Sequence, residues 1–135
     1  FLSHVDLTVS GLQSPTVRLW IERDESGAIV ASTGYELSSD GLHALIRSVA
    51  IAPQLRCGGR GTEAARFALH HASEQGAQRA WLFSRRSGPF WQGLGFMPAD
   101  REQLGQALPD AQQVRLFRRT GQFDREIAWS RRLPE

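Results

Sequence analysis

The chain has 135 residues, a net charge of +2 and no apolar run near membrane-spanning length. That length predicts one domain, residues 1–135, with enough chain to bury a real core. The near balance of charge gives no sign of a polyanion partner, so neither nucleic acid nor membrane is expected as a partner.

In chain order, residues 1–16 hold a weak helical pattern (Leu2, Val5, Leu7) that breaks at Ser14-Pro15. Val17, Leu19 and Ile21 then alternate with polar residues, the mark of a half-buried strand. Asp24 to Gly27 is a turn, so Ala28 to Leu37 is expected to return as a hairpin. After a second turn at Ser38 to Gly41, Leu42 to Ala52 reads as a third strand, richer in apolar residues and therefore central. From Gly61, the residues Ala65, Ala68, Leu69 and Ala72 trace one face of an amphipathic helix. Arg79 to Phe83 is a short strand. Ser87 to Phe96 reads as a short Pro-initiated helix capped by Gly95. Asp100 is placed to cap a helix over Arg101 to Leu108. The alternation of Ile127, Trp129 and Arg131 predicts a last strand. The sum is an α/β domain with a mixed sheet.

The junction from Val49 to Leu69 carries the chemistry. Its strand stops at Pro53, and two arginines and three glycines follow within Arg56 to Gly61. Helix N-termini present unpaired N–H groups and partial positive charge, so they attract anions. Glycines let successive N–H groups converge on one oxygen-rich group. Arg56 and Arg60 add charge-assisted hydrogen bonds, because all sixteen basic residues of this chain are arginines. The loop therefore reads either as a phosphate cradle or as a tight turn with solvated arginines. No Lys-Ser or Lys-Thr follows the glycines and there is no G-x-G-x-x-G, which sets aside the P-loop and the Rossmann fingerprint. Cys57, the one cysteine, excludes an internal disulfide and fits a reducing, cytoplasmic compartment. No metal site is expected. The chain opens on Phe1 rather than Met, which leaves room for residues before it.

The run Val-Ala-Ile-Ala-Pro-Gln-Leu-Arg-Cys-Gly-Gly-Arg-Gly resembles the acetyl-CoA motif of the GNAT acetyltransferase superfamily, with Arg56, Gly59 and Gly61 at its marked positions. The run Phe-Trp-Gln-Gly-Leu-Gly-Phe, residues 90–96, resembles that superfamily's second hallmark. The likeness covers the chain from Val17 onward. Within the superfamily, Leu45 to Pro53, Leu94 to Asp110 and Arg119 to Phe123 are similar to the small acetyltransferases found beside arsenic-resistance genes. Gly58 to Gly61 and the aromatic pair Phe90-Trp91 are similar to the acetyltransferase domain of N-acetylglutamate synthases.

The resemblance implies a GNAT fold: a mixed, mostly antiparallel sheet whose central strands splay apart, flanked by helices. It implies acetyl-CoA as cofactor. The pantetheine arm would pair with the backbone of Val49 and Ile51. The pyrophosphate would sit on the loop made by Arg56, Cys57, Gly58, Gly59, Arg60, Gly61 and Thr62, and Trp91 would flank the thiol end. The partner is expected to be a small-molecule amine, taken by a monomer or a homodimer.

Two departures bear on proton transfer. Leu45 stands where many relatives carry a glutamate base, and Trp91 where many carry a tyrosine acid. Glu36 is the nearest alternative base, weighed against a solvated carboxylate at a strand edge. Ser84 would donate or orient a water, weighed against a simple capping role. His43 is a further candidate, weighed against plain exposure beside a turn. Arg47, on the central strand, needs a partner, either a substrate carboxylate or Glu36. Arg85 and Arg86 are substrate candidates or surface charges. The alternatives to a small-molecule N-acetyltransferase are a non-catalytic acyl-CoA-binding module and a protein or peptide N-acetyltransferase.

Overall fold

A computed structural model describes residues 17–23, 25–51 and 60–134. The predicted N-terminal helical pattern lies outside these residues, as do Arg56, Cys57, Gly58 and Gly59.

The first three strands, β1 (Val17–Arg23), β2 (Ile29–Leu37) and β3 (His43–Ile51), form an antiparallel meander. Gly27 and Gly41, both at positive φ, sit in the two turns that join them. Helix α1 (Arg60–Glu74) crosses over to β4 (Arg79–Phe83), which runs parallel to β3. After the short helix α2 (Gly88–Gln92) come β5 (Met97–Ala99), α3 (Arg101–Ala107) and α4 (Gln112–Thr120). A 3-10 turn over Gln122–Arg125 leads into β6 (Ala128–Arg132). The six strands form one sheet in the order β1-β2-β3-β4-β6-β5.

The sheet is covered on both faces. On one, the alanine-rich side of α1 (Ala65, Ala68, Leu69, Ala72) packs on Ala44, Ile46 and Leu82, with Trp91 and Phe96 closing that core. Small side chains let the helix backbone approach the strands closely. On the other face, Leu104, Leu108, Val114 and Phe123 of the β5–β6 connection cover Leu45 and Trp81. Trp20, Trp81 and Trp129 are buried, as their strand positions predict. Asp100 caps α3 by accepting the N–H groups of Glu102 and Gln103. Gly95 has φ 90° and turns the chain after α2, two residues beyond its C-cap Gly93.

Two elements were not anticipated. β5 has three residues and contains Pro98, too short for an alternation to be read, and it sits at the sheet edge where proline is tolerated. α4 is rich in arginine, and its apolar signal is thin. The spacing of Ala111, Val114 and Phe117, bracketed by Pro109 and Gly121, is the trace that points to it. No helix among the described residues is long and apolar enough to cross a membrane.

Candidate active site

β3 and β4 pair only from His43↔Arg79 to Leu45↔Trp81. Beyond Leu45, β3 stays beside β2 as far as Ile51, through a bulge that sets one extra β3 residue between Gly34↔Arg47 and Ser32↔Ala50, while β4 stays paired with β6 as far as Phe83, and the two strands part. A cavity of about 200 Å³ lies at this parting. Ile46 and Leu82 line it, and both belong to the core under α1. Arg47 and Phe83 line it too, although strand neighbours point to opposite faces. One cavity touches both members of each pair only where the sheet itself is open. Ser84, Ser87 and Trp91 close the end towards α2, and Gln113 of α4 closes the opposite side.

A second, more open cavity of about 470 Å³ shares Phe83, Ser84 and Gln113 with the first. It adds Arg85, Arg86, Phe117 and Glu126. Phe83 and Phe117 meet edge to face with ring centroids 5.1 Å apart, so this wall is apolar beside its arginines. The two cavities make one groove past the end of β4, lined partly from each face of the sheet.

Glu36 is neither solvated nor at a sheet edge. β2 lies between β1 and β3, and Glu36 is 2% exposed. Its carboxylate accepts the backbone N–H of Gln112 at the start of α4, 2.9 Å from each oxygen. Arg47 Nη1 donates to Glu36 Oε1 at 3.3 Å. Burial pushes the Glu36 carboxyl above the usual glutamate range, and the Gln112 N–H and the Arg47 guanidinium offset part of this. Glu36 lines neither cavity.

The other candidates sort as follows. Ser84 lines both cavities, and its Oγ accepts the N–H of Ser87, so it also has the capping role weighed against a catalytic one. Trp91 is buried against Phe90 and Phe96 with its edge in the first cavity. Leu45 is fully buried in the core below α3 and α4. His43 is half-buried rather than exposed, its Nδ1 accepting the Trp81 Nε1 hydrogen at 3.1 Å. Arg85 pairs with Glu126 at 3.6 Å across the second cavity, and Arg86 is exposed. Val49 and Ile51 belong to the part of β3 that has left β4, and Arg60, Gly61 and Thr62 form the first turn of α1. Missed in the sequence were Gln112, Gln113, Phe117 and Glu126, all on the β5–β6 connection.

The geometry suits an extended, amide-bearing chain that ends in an anion. Beyond Leu45, the β4 side of β3 offers backbone donors and acceptors that β4 does not use. The first N–H groups of a 15-residue helix begin at Arg60. Among the described residues, no cluster of His, Cys, Asp and Glu is arranged to hold a metal ion.

The acetyltransferase (GNAT) family profile matches residues 5–96. None of the curated proteins compared matches the chain. Among solved structures, it is similar to N-acetylglutamate synthase from Neisseria gonorrhoeae, complexed with coenzyme A and N-acetyl-glutamate: TM-score 0.71 and 20% identity over 87% of this chain. The chain spans 26% of that protein. A GNAT-family acetyltransferase from Staphylococcus aureus Mu50 gives a TM-score of 0.69 at 16% identity, over 91% of this chain and 71% of that one. A Mycobacterium tuberculosis protein in complex with CoA gives 0.66 at 16% identity, over 86% of this chain and 76% of that one. At these identities the likeness is one of fold. With the family profile covering more than half of its length, the chain belongs to the GNAT acetyltransferase family.

Proposed function

We propose that this chain is an acetyl-CoA-dependent N-acetyltransferase acting on the amine of a small, amino-acid-like substrate. One observation carries this reading. The parting of β3 from β4 makes a cavity lined from both faces of the sheet, so donor and acceptor can approach one point from opposite sides. The family membership and the CoA-bound relatives support the choice of carrier.

The backbone of Val49 and Ile51 would hold the pantetheine arm. The loop of Arg56, Cys57, Gly58, Gly59 and Arg60, with Gly61 and Thr62, would hold the pyrophosphate, and Trp91 would flank the thiol end. Acetyl-CoA supplies an activated acetyl group: a C–N bond forms at its carbonyl carbon as the C–S bond breaks, giving N-acetyl amine, CoA thiol and, from an ammonium substrate, one released proton. The chain's own contribution is to orient and exclude. Phe83, Trp91 and Leu82 shut water from the cavity wall, and Ser84 is placed to orient the amine or a water that takes its proton. Arg47 and Arg85 line the groove and would bind the acceptor. The 200 Å³ of the first cavity favours a small acceptor over a protein chain.

A second reading is a non-catalytic acyl-CoA-binding module, favoured by the apolar Leu45 and Trp91 at the proton-transfer positions. A panel of amino acids and small amines, scored for CoA release from acetyl-CoA, separates the two: turnover with any amine supports the enzyme. Cofactor binding with no turnover supports the module.

A further inference from the structure

We propose that Glu36 is a positioning residue that aims Arg47 at the acceptor, and that the acceptor therefore carries a carboxylate close to its amine. The inference deepens the acetyltransferase reading and rests on it for the position of the reacting amine.

Arg47 makes one contact with Glu36, from Nη1 to Oε1 at 3.3 Å, where a structural Arg–carboxylate pair would use two parallel bonds. Both oxygens of that carboxylate also accept the Gln112 N–H, so Glu36 is held from a second side. Arg47 Nε is buried with no hydrogen-bond partner among the described residues. Its side chain is 24% exposed and lines the cavity at the parting of β3 and β4. A guanidinium with five donors and one carboxylate contact thus stands in the wall of a small cavity. Guanidinium forks match carboxylates in plane and spacing.

The size of the cavity sets the rest. Arg47, Ser84 and Trp91 line the same 200 Å³ space, so an anion on Arg47 and an amine at the opening towards Trp91 belong to one compact molecule. An α-amino acid has that layout, and its side chain can continue along Phe83 and Phe117 into the adjoining cavity. Glu36 keeps the fork from swinging away. Its position is fixed in turn by α4, so the β5–β6 connection sets the acceptor preference through one backbone N–H.

The test compares common α-amino acids with their decarboxylated amines, in acetyl transfer and in calorimetric binding to the CoA-loaded protein. The wild type should favour the carboxylated member by about tenfold or more. Arg47→Met should bring the ratio between the two members towards one, and Arg47→Lys should restore part of it. Glu36→Gln should raise KM for the amino acid while kcat changes little. Circular dichroism checks that each variant is folded, and Arg47→Lys serves if Arg47→Met is not. Carboxylate-selective binding without turnover would uphold the inference and sink the acetyltransferase reading. Turnover with no preference for the carboxylated member, or an Arg47→Met loss equal for both, overturns the inference. A large loss of kcat in Glu36→Gln at constant KM overturns it as well, by making Glu36 a base.

Discussion

The carboxylate of Glu36 on β2 takes the backbone N–H of Gln112 on α4 with both oxygens at 2.9 Å, across 76 positions of sequence. This contact ties the β5–β6 connection to the centre of the sheet, next to the opening between β3 and β4. Removing the acceptor leaves a buried N–H and the Arg47 guanidinium without it, so Glu36→Ala should lower stability by about 2–3 kcal/mol. The pH dependence has a definite sign. Burial raises the Glu36 carboxyl above its unfolded value, so at pH values between the two the native state holds a proton that the unfolded chain has lost. Its stabilisation is full below the ordinary glutamate value and is lost as pH rises through the raised native value. Urea titrations across that window should therefore show wild type losing ground to Glu36→Gln as pH increases. The opposite slope would mean that the hydrogen bonds outweigh burial.

The pH profile of catalysis follows from the cavity wall. Among the described residues, the first cavity is lined by no side chain that titrates near neutral pH: Arg47, Ser84, Ser87, Trp91 and Gln113 are its polar members. The rate should therefore track the ionisation of the acceptor itself. We expect kcat/KM to rise about tenfold per pH unit up to the pKa of each amine, and to shift when the amine is exchanged. A plateau at one fixed pH for every amine would reveal an enzymic base.

The glycine loop gives a prediction for binding. Acetyl-CoA at a hundred times its dissociation constant should stabilise the fold by about 2.7 kcal/mol. If the loop holds the pyrophosphate as proposed, Gly59→Val should abolish that stabilisation while the protein still folds, because glycine lets backbone N–H groups converge where a β-branched residue does not. Thermal melts with and without cofactor read both effects. Undiminished stabilisation in Gly59→Val would move the pyrophosphate site elsewhere.

Away from the groove, the Tyr35 hydroxyl lies 2.6 Å from His71 Nδ1. Burial pushes Tyr35 up to about 12 and holds His71 below the usual histidine value. At neutral pH the tyrosine O–H donates to a neutral ring, which assigns the ring proton to Nε2. A lowered histidine value means that this stabilisation is full above the ordinary value and is lost as pH falls through the native one. Tyr35→Phe should cost about 1 kcal/mol at pH 8. NMR titration of the His71 ring should give a midpoint below that of an unhindered histidine, and a midpoint above it would contradict the assignment.

Much of this molecule was legible in one dimension. The alternation of Val17, Leu19 and Ile21, the alanine spacing of α1 and the Asp100 cap are local signals, and local rules are enough to read them. The parting of β3 from β4 was legible only through resemblance, since no propensity marks where two strands separate. The Arg47–Glu36 pair was one of two alternatives open in the sequence, because an arginine on a central strand needs a partner. The burial of Glu36 was not, because its cause is α4, a helix whose apolar face amounts to Val114, Phe117 and the preceding Ala111. A carboxylate weighed as a strand-edge charge is held inside the protein by a helix in which three of nine residues are arginines.

The most direct test is to incubate the protein with acetyl-CoA and amino-acid substrates and to quantify N-acetyl amine and CoA thiol together by mass spectrometry. Acetyl transfer at the parting of β3 and β4 predicts equal amounts of the two products, dependent on the amine and lost in Gly59→Val. Saturable acetyl-CoA binding with no acetylated amine from any member of the panel would contradict it and leave a binding module.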